Sequence, residues 1–391
     1  MSFNLIKTCP DSRARAGELI TPHGLVPTPV FLPVGSQATV KTLAPQEVKN
    51  IGFSMVLANT YHLYLRPGIP VVEGLGGLHR FMGWDGAILT DSGGYQIFSL
   101  AGLRQISDKG VTFRSHIDGS KHFITPELAI KFQEALGADV IMVLDECPPI
   151  DADFNKVRRA MSRTHLWAAR CRQAHQRGDQ ALYAIVQGGV FPELRRQSAE
   201  YLTSLDFPGY AIGGLSLGES KEVTYSITTE TAALLPEDKP RYLMGVGSPE
   251  DIIEAVSRGI DIFDSALPTR VARNGALYTS RGRVNIGNSS SYKKMAEALD
   301  TDCGCYTCEN FSAAYLHHLF RSGELLALRL ATIHNLSFVS NLMSDIREAI
   351  LNNTFSSFKE DFLKNYKPTD EQVRLEQKKK WLKARNLDNT V

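Results

Sequence analysis

Eight short apolar runs recur along the chain, at residues 30–34, 55–58, 87–90, 140–144, 182–186, 210–212, 242–244 and 260–263. Near-continuous apolarity of this kind suits strands buried on both faces, as in a parallel sheet. Helix signals fill the intervals. Thr125 followed by Pro126 supplies a cap and a proline at the first helical position, with Gly137 as the stop. Ser248, Pro249 and Gly259 repeat the device. Eight such units in about 240 residues match the size of a (β/α)8 barrel. An open doubly wound sheet is the runner-up, because periodicity cannot count closure. Two hairpins interrupt the rhythm, one over 113–123 around Asp118-Gly119 and one over 277–286 around Arg281-Gly282. Beyond Cys308 the chain reads as helices at 311–319, 324–334 and 336–351, and the basic tail at 378–383 as a solvated helix end.

The chain of 391 residues is 43% hydrophobic and 22% charged, with a formal net charge of +1. That excludes a uniformly basic nucleic-acid coat and an acidic disordered chain. No apolar run reaches membrane-spanning length, and the N-terminus lacks the apolar core of a secretory signal. Six cysteines are too few for a disulfide scaffold, and three of them crowd into one loop. A reducing, cytoplasmic setting with a metal site is expected.

In a barrel of this kind, chemistry sits at the C-terminal ends of the strands. The residues just past the apolar runs include Asp91, Asp145, Gln187, Gly213-Gly214, Gly245 and Asp264. One aspartate at a strand end is more often a helix cap; three together point to a site. Paired carboxylates at one mouth suit chemistry at an acetal-like carbon, one attacking and one moving protons. Gln187 and the backbone at Gly213-Gly214 suit the edge of a planar heterocycle. Tyr95 and Met244 could stack on it, although either taken singly is more often core.

Cys303-x-Cys305-x-x-Cys308 places three thiolates within six residues and fits a tetrahedral zinc that needs a fourth ligand. His317, His318 and His334 are the candidates. Between Ser265 and Ala296 there are six cations and no acidic residue. A charge run is often only a solvated face, but this one begins directly after Asp264, where it could meet a phosphate backbone. Residues 1–264 have a charge balance of −4 and residues 265–391 one of +5, so the near-zero total is a cancellation.

Asp91-Ser92-Gly93-Gly94-Tyr95-Gln96, Asp145-Glu146-Cys147, Val186-Gln187-Gly188-Gly189, Gly213-Gly214-Leu215, Met244-Gly245-Val246-Gly247, Phe263-Asp264-Ser265-Ala266-Leu267-Pro268-Thr269-Arg270 and the cysteine loop follow in this order. Together they resemble the tRNA-guanine transglycosylases of the bacterial type, over nearly the whole chain. The resemblance implies an α/β fold: one catalytic domain over 1–391, an irregular TIM (β/α)8 barrel with a zinc-binding subdomain at about 274–350. It implies exchange of guanine at the wobble position of GUN-anticodon tRNAs for a 7-deazaguanine, in queuosine synthesis. By matching position, Asp264 resembles the nucleophile on ribose C1′ and Asp91 the proton acceptor. Asp91, Ser92, Gly93, Gly94, Tyr95, Asp145, Gln187, Gly213, Gly214, Leu215 and Met244 resemble the base-binding pocket. Gly245, Val246, Gly247, Ser248, Pro249, Glu250 and Asp251, with Thr269, Arg270, Val271, Ala272 and Arg273, resemble the RNA-contacting segments.

His334, followed by Asn335-Leu336, matches the family's fourth zinc ligand, one structural Zn2+ being expected per subunit. Partners implied are the tRNA anticodon loop, a 7-deazaguanine base and a second copy of the chain. Leu217 stands where the eukaryotic queuine enzymes resemble one another in having glycine. Its bulk, with Cys147, favours 7-aminomethyl-7-deazaguanine (preQ1) over queuine. The archaeal branch, with its extra C-terminal RNA-binding domain, is not expected. The rival readings are a queuine-using enzyme, a retaining glycosidase with no use for the zinc loop, and a zinc-stabilised tRNA-binding protein without catalysis.

Overall fold

The computed structural model describes residues 1–100, 104–288 and 290–369, with 372 and 376. The apolar runs form eight parallel strands: Val30–Gly35, Met55–Asn59, Ala87–Asp91, Val140–Met142, Ala181–Val186, Tyr210–Ile212, Arg241–Leu243 and Ile262–Ser265. Each is hydrogen-bonded to the next. The eighth returns to the first, with Ile262 beside Val30 and Ser265 beside Pro33, so the sheet closes. Closure excludes the open doubly wound sheet. With helices between the strands the architecture is a TIM-like barrel.

Both proline-started helices form. Thr125 caps Pro126–Leu136 by accepting the Leu128 N–H at 3.2 Å, and Gly137 ends it at a φ of 74°. Pro249–Val256 starts at Ser248, but the Ser248 hydroxyl donates to Asp251 Oδ2 at 2.5 Å and makes no backbone cap. The hairpins form too. Gly110–Arg114 pairs with Lys121–Ile124 in a three-stranded sheet inserted after the third barrel strand, and Ala276–Thr279 pairs with Gly282–Asn285.

Two features differ from expectation. Residues 325–351 form one 27-residue helix with no break at 335. His334 and Asn335 are polar, yet both are fully buried with internal partners, so they do not mark an end. An antiparallel meander of Ser2–Thr8, Arg15–Thr21 and Gly24–Thr28 precedes the barrel, where no apolar run announces a strand. The long helix fastens it: Arg347 donates to the carbonyls of Gly17 (2.7 Å) and Thr28. A small second core, including Leu277, Ile286, Leu316, Leu319 and Leu330, surrounds the cysteine loop. The basic tail at 378–383 lies outside the described residues. Among the described residues, no helix is long and apolar enough to cross a membrane.

The N-terminal ends of the strands are tied by buried charge. Arg15 donates through Nε and Nη2 to the two oxygens of Asp261, at 2.8 and 2.5 Å. Its Nη1 reaches the Glu237 carbonyl at 2.7 Å, and Asp261 also accepts the Arg241 N–H at 2.7 Å. Arg15→Ala would leave Asp261 a buried unpaired carboxylate. The expected loss is about 3–5 kcal/mol of unfolding free energy, read from urea denaturation at pH 7. A loss below about 1 kcal/mol would show that this tie does not hold the meander to the barrel.

Candidate active site and metal centre

The third, fourth, fifth, seventh and eighth strands carry polar groups into one mouth. Asp264 lies within the eighth strand. Its Oδ1 accepts the Tyr242 hydroxyl at 2.5 Å and the Gly245 N–H at 2.8 Å. Burial raises its pKa above the ordinary carboxylate value, and these two donors pull the other way. Asp91 ends the third strand. The Thr60 N–H donates to its Oδ1 at 3.2 Å, while the amides of Asn59 and Gln96 donate to Oδ2. Burial, and then the Asp264 charge, push Asp91 up to about 7 against those donors. The two carboxylates therefore share one electrostatic environment although two strands separate theirs around the barrel.

Asp145 is buried and accepts Gln187 Nε2 at 2.7 Å, and burial raises it to about 6. Gln187 Oε1 is buried without a partner among the described residues, an acceptor left open beside the carboxylate. Glycine is required around this pair. A Cβ on Gly94 would stand 2.7 Å from Asp145 Oδ1, and one on Gly214, whose φ is +71°, would stand 2.6 Å from Gln187 Oε1. Ser92, Gly93, Gly94, Gly213 and Leu215 are buried and Gly214 is half-buried, whereas Tyr95 is 40% exposed. Met244 is half-buried and packs on the main core. Cys147 is buried, and burial followed by the Asp145 charge raises its thiol to about 12, so it is inert at neutral pH.

The expected RNA segments meet the mouth at the loops after the seventh and eighth strands. Gly245 and Arg270 are exposed, Ser248, Asp251, Val271 and Arg273 are half-buried, and Val246, Gly247, Pro249, Glu250, Thr269 and Ala272 are buried. Glu250 and Asp251 pair with Lys221 at 2.7 and 2.8 Å, so their carboxylates are engaged within the protein.

Several supporting residues are not evident from the sequence. Asn59 directly follows an apolar run, the rule that found Asp91, and the same rule extended to the second strand would have found it. Tyr242 sits inside a run and reads as core. Arg195 is fully buried, donating to the carbonyls of Val186 (2.8 Å) and Gly189 (2.9 Å), and thereby fixes the turn that presents Gln187. Glu219 gathers the N–H groups of Ser216, Leu217 and Gly218 just beyond Gly214. No local pattern marks either residue.

Cys303, Cys305, Cys308 and His334 offer ligand atoms that all lie within 4.8 Å of one another and could hold a metal ion. The three sulfurs lie 3.8, 3.5 and 3.3 Å from His334 Nδ1. Tetrahedral bonds of about 2.0–2.3 Å put ligand atoms roughly 3.5 Å apart, so the spacing fits. His334 Nε2 donates to the Tyr278 carbonyl at 2.6 Å, which leaves the Nδ1 lone pair for the metal. His317 is occupied with the Ile286 carbonyl at 2.6 Å, and His318 is exposed. Four protein ligands would leave no open position on an ion held there. A second group, His23, His79 and Asp139, lies at the opposite end of the barrel. Its imidazoles stack 3.5 Å apart at 16°, an arrangement in which one ion cannot lie in both ring planes. Asp139 instead accepts His23 Nδ1 and the Ile88 N–H, each at 2.8 Å.

Residues 9–368 match the family described as Queuine tRNA-ribosyltransferase. The chain belongs to that family. A relative of that name from Dehalococcoides mccartyi is 63% identical over 385 residues, 98% of each chain. Another from Caldanaerobacter subterraneus is 57% identical over 367 residues, 94% of this chain and 98% of its own. One from Halothermothrix orenii is 53% identical over 366 residues, with the same coverage. The family is one of transferases, pentosyltransferases of the tRNA-guanine transglycosylase kind, and this member is an enzyme of that class.

Two measurements follow from the site. Asp145 is raised in the folded chain, so between the ordinary carboxylate range and about pH 6 the folded state keeps a proton that the unfolded state has lost. That contribution favours folding at low pH and is lost as pH rises. Asp145→Asn should therefore raise Tm at pH 8, with the gain shrinking toward pH 4; a pH-independent difference would contradict the burial argument. Purified protein should also carry one equivalent of a divalent metal, and His334→Ala should lose most of it. Full occupancy in that variant, by elemental analysis, would reassign the fourth ligand.

Proposed function

We propose that this enzyme exchanges guanine at the wobble position of GUN-anticodon tRNAs for preQ1 through a covalent ribosyl-aspartate intermediate, in queuosine synthesis. The observation that carries the reading is the unequal pair at the mouth. Asp264 is held by two fixed donors, whereas Asp91 is poised near 7 and shares its field. Asp264 attacks ribose C1′, the C1′–N9 bond of guanine breaks, and the leaving base takes up the proton of Asp91. The entering base then gives its N9 proton to Asp91 and displaces the ester. Two inversions retain the β configuration. A base with pKa near the working pH suits this shuttle.

The target nucleotide must leave the loop stack to be attacked, which needs a flat pocket and a backbone clamp. Asp145, Gln187 and the Gly214 backbone read the base edge, with Ser92, Gly93, Gly94, Gly213 and Leu215 shaping the pocket and Tyr95 and Met244 as its walls. Leu217, on the loop held by Glu219, favours preQ1 over the bulkier queuine. The clamp comprises residues 245–251 and 269–273. Arg273 Nη1 is buried without a partner among the described residues, and burial followed by the Arg270 charge lowers the Arg273 pKa. A phosphate there would relieve both.

Zn2+, one per subunit, would be held by Cys303, Cys305, Cys308 and His334 and would supply structural cross-linking to a subdomain at about 274–350 of the single catalytic domain. The working form is a cytoplasmic homodimer. Support for a partner copy comes from Tyr306, Phe311 and Tyr315, whose rings adjoin at 5.8 and 5.5 Å, with Tyr306 53% exposed.

The deciding experiment offers tRNA with labelled guanine, preQ1 and queuine in parallel. Incorporation of guanine and preQ1, with queuine at least tenfold poorer in kcat/KM, is expected. No label in tRNA would sink the transglycosylase reading, and efficient queuine use would sink the preQ1 assignment alone. Asp264→Asn should abolish the covalent tRNA adduct on denaturing gels, and an adduct that persists would exclude Asp264 as nucleophile.

A further inference from the structure

The acidic part of the chain contains one local inversion. Helix Phe154–Ala174 carries Lys156, Arg158, Arg159, Arg163, Arg170 and Arg172 and no carboxylate. It follows the fourth barrel strand, and Asp153 caps its first turn. In a closed eight-stranded barrel the fourth strand stands opposite the eighth. The start of this helix therefore flanks the mouth across from residues 269–273.

Two of the arginines are engaged locally. Arg163 pairs with Glu146, the neighbour of Asp145, and with Asp108 at 3.3 Å. Arg170 grips both oxygens of Glu127 at 2.7 and 2.8 Å. Arg158 and Arg159 are exposed, and neither has an ion pair or hydrogen bond among the described residues. Together with Ser162, Arg163, Asp108 and Leu166 they line an open cavity of about 280 Å³. Two unpaired guanidinium groups and a serine hydroxyl around one cavity are donors without an acceptor. The single carboxylate there, Asp108, is already paired with Arg163. Among the described residues no aromatic ring lines the cavity to stack a base, so its chemistry is that of a phosphate.

We propose that this cavity seats a backbone phosphate of the bound tRNA through Arg158, Arg159 and Ser162, a second RNA contact across the mouth from residues 269–273. The proposal rests on the tRNA reading above. Held on two sides of the mouth, the anticodon arm would be fixed in direction as well as position, because phosphate contacts set register while base contacts specify.

The test measures binding of a cognate tRNA transcript to the full-length enzyme over a KCl series. Arg158→Ala/Arg159→Ala should weaken Kd several-fold at low salt. The slope of log K against log[salt] should become shallower by about 0.7–0.9 for each phosphate no longer neutralised. KM for the free base should not change. Both residues are exposed, so the fold should survive, and an unchanged Tm checks this. Arg172→Ala, about 20 Å further along the same helix, removes charge away from the mouth and should leave the slope intact. An unchanged Kd and slope in the double variant would overturn the proposal, as would an equal loss in Arg172→Ala, which would mean bulk charge alone. Wild-type enzyme that binds no tRNA would instead sink the functional reading, and this proposal with it.

Discussion

Withdrawing two carboxylates from water while keeping fixed donors on each is the constraint that organises the barrel mouth. Burial alone would leave both protonated and idle. Tyr242 and the Gly245 N–H meet Asp264 with two donors on one oxygen, which favours its charged form against the pull of burial. Asp91 has three donors, yet burial first, and the field of Asp264 after it, raise it to about 7. Two chemically identical side chains thus sit in different environments, the condition for the division of attack and proton transfer proposed above.

Such a mouth destabilises the fold, and the opposite end of the barrel has the contrary character. There Asp261 and Asp139 are buried too, but Arg15 saturates the first with a bidentate pair and His23 and a backbone N–H meet the second. Satisfied charge at the N-terminal strand ends and under-satisfied charge at the C-terminal ends is the expected division between stability and function in this architecture.

What could be read from the residues divides along the same line. The eight strands were legible because burial on both faces leaves nearly unbroken apolar runs, and the strand-end rule found Asp91, Asp145, Gln187 and Asp264. Closure was not legible, because the pairing of Ile262 with Val30 joins residues more than two hundred positions apart. Nor was the N-terminal meander, whose first strand alternates between exposed and half-buried positions and presents no apolar run. Tyr242 and Arg195 were missed for one reason: each lies in the interior, and its importance depends on which distant oxygen it meets. The two helices read at 324–334 and 336–351 are one helix, and the partners of His334 and Asn335 lie on other elements.

Those two residues explain how the small cysteine loop can bear on the barrel mouth. His334 donates to the carbonyl of Tyr278, and Asn335 accepts the Tyr278 N–H at 3.0 Å. Asn335 Nδ2 then donates to the carbonyls of Pro268, at 3.1 Å, and Ala276, at 3.0 Å. Pro268 stands four residues past Asp264, in the helix Leu267–Arg273 that carries Arg270 and Arg273. One turn of the long helix therefore joins the cysteine cluster, the 276–285 hairpin and the segment that follows Asp264. Every member of that set has its partner in place, so displacing one leaves another unsatisfied, at a cost of about 1–3 kcal/mol where the group is buried. A metal held by His334 would thereby hold the direction in which the chain leaves Asp264 without itself reaching the barrel mouth.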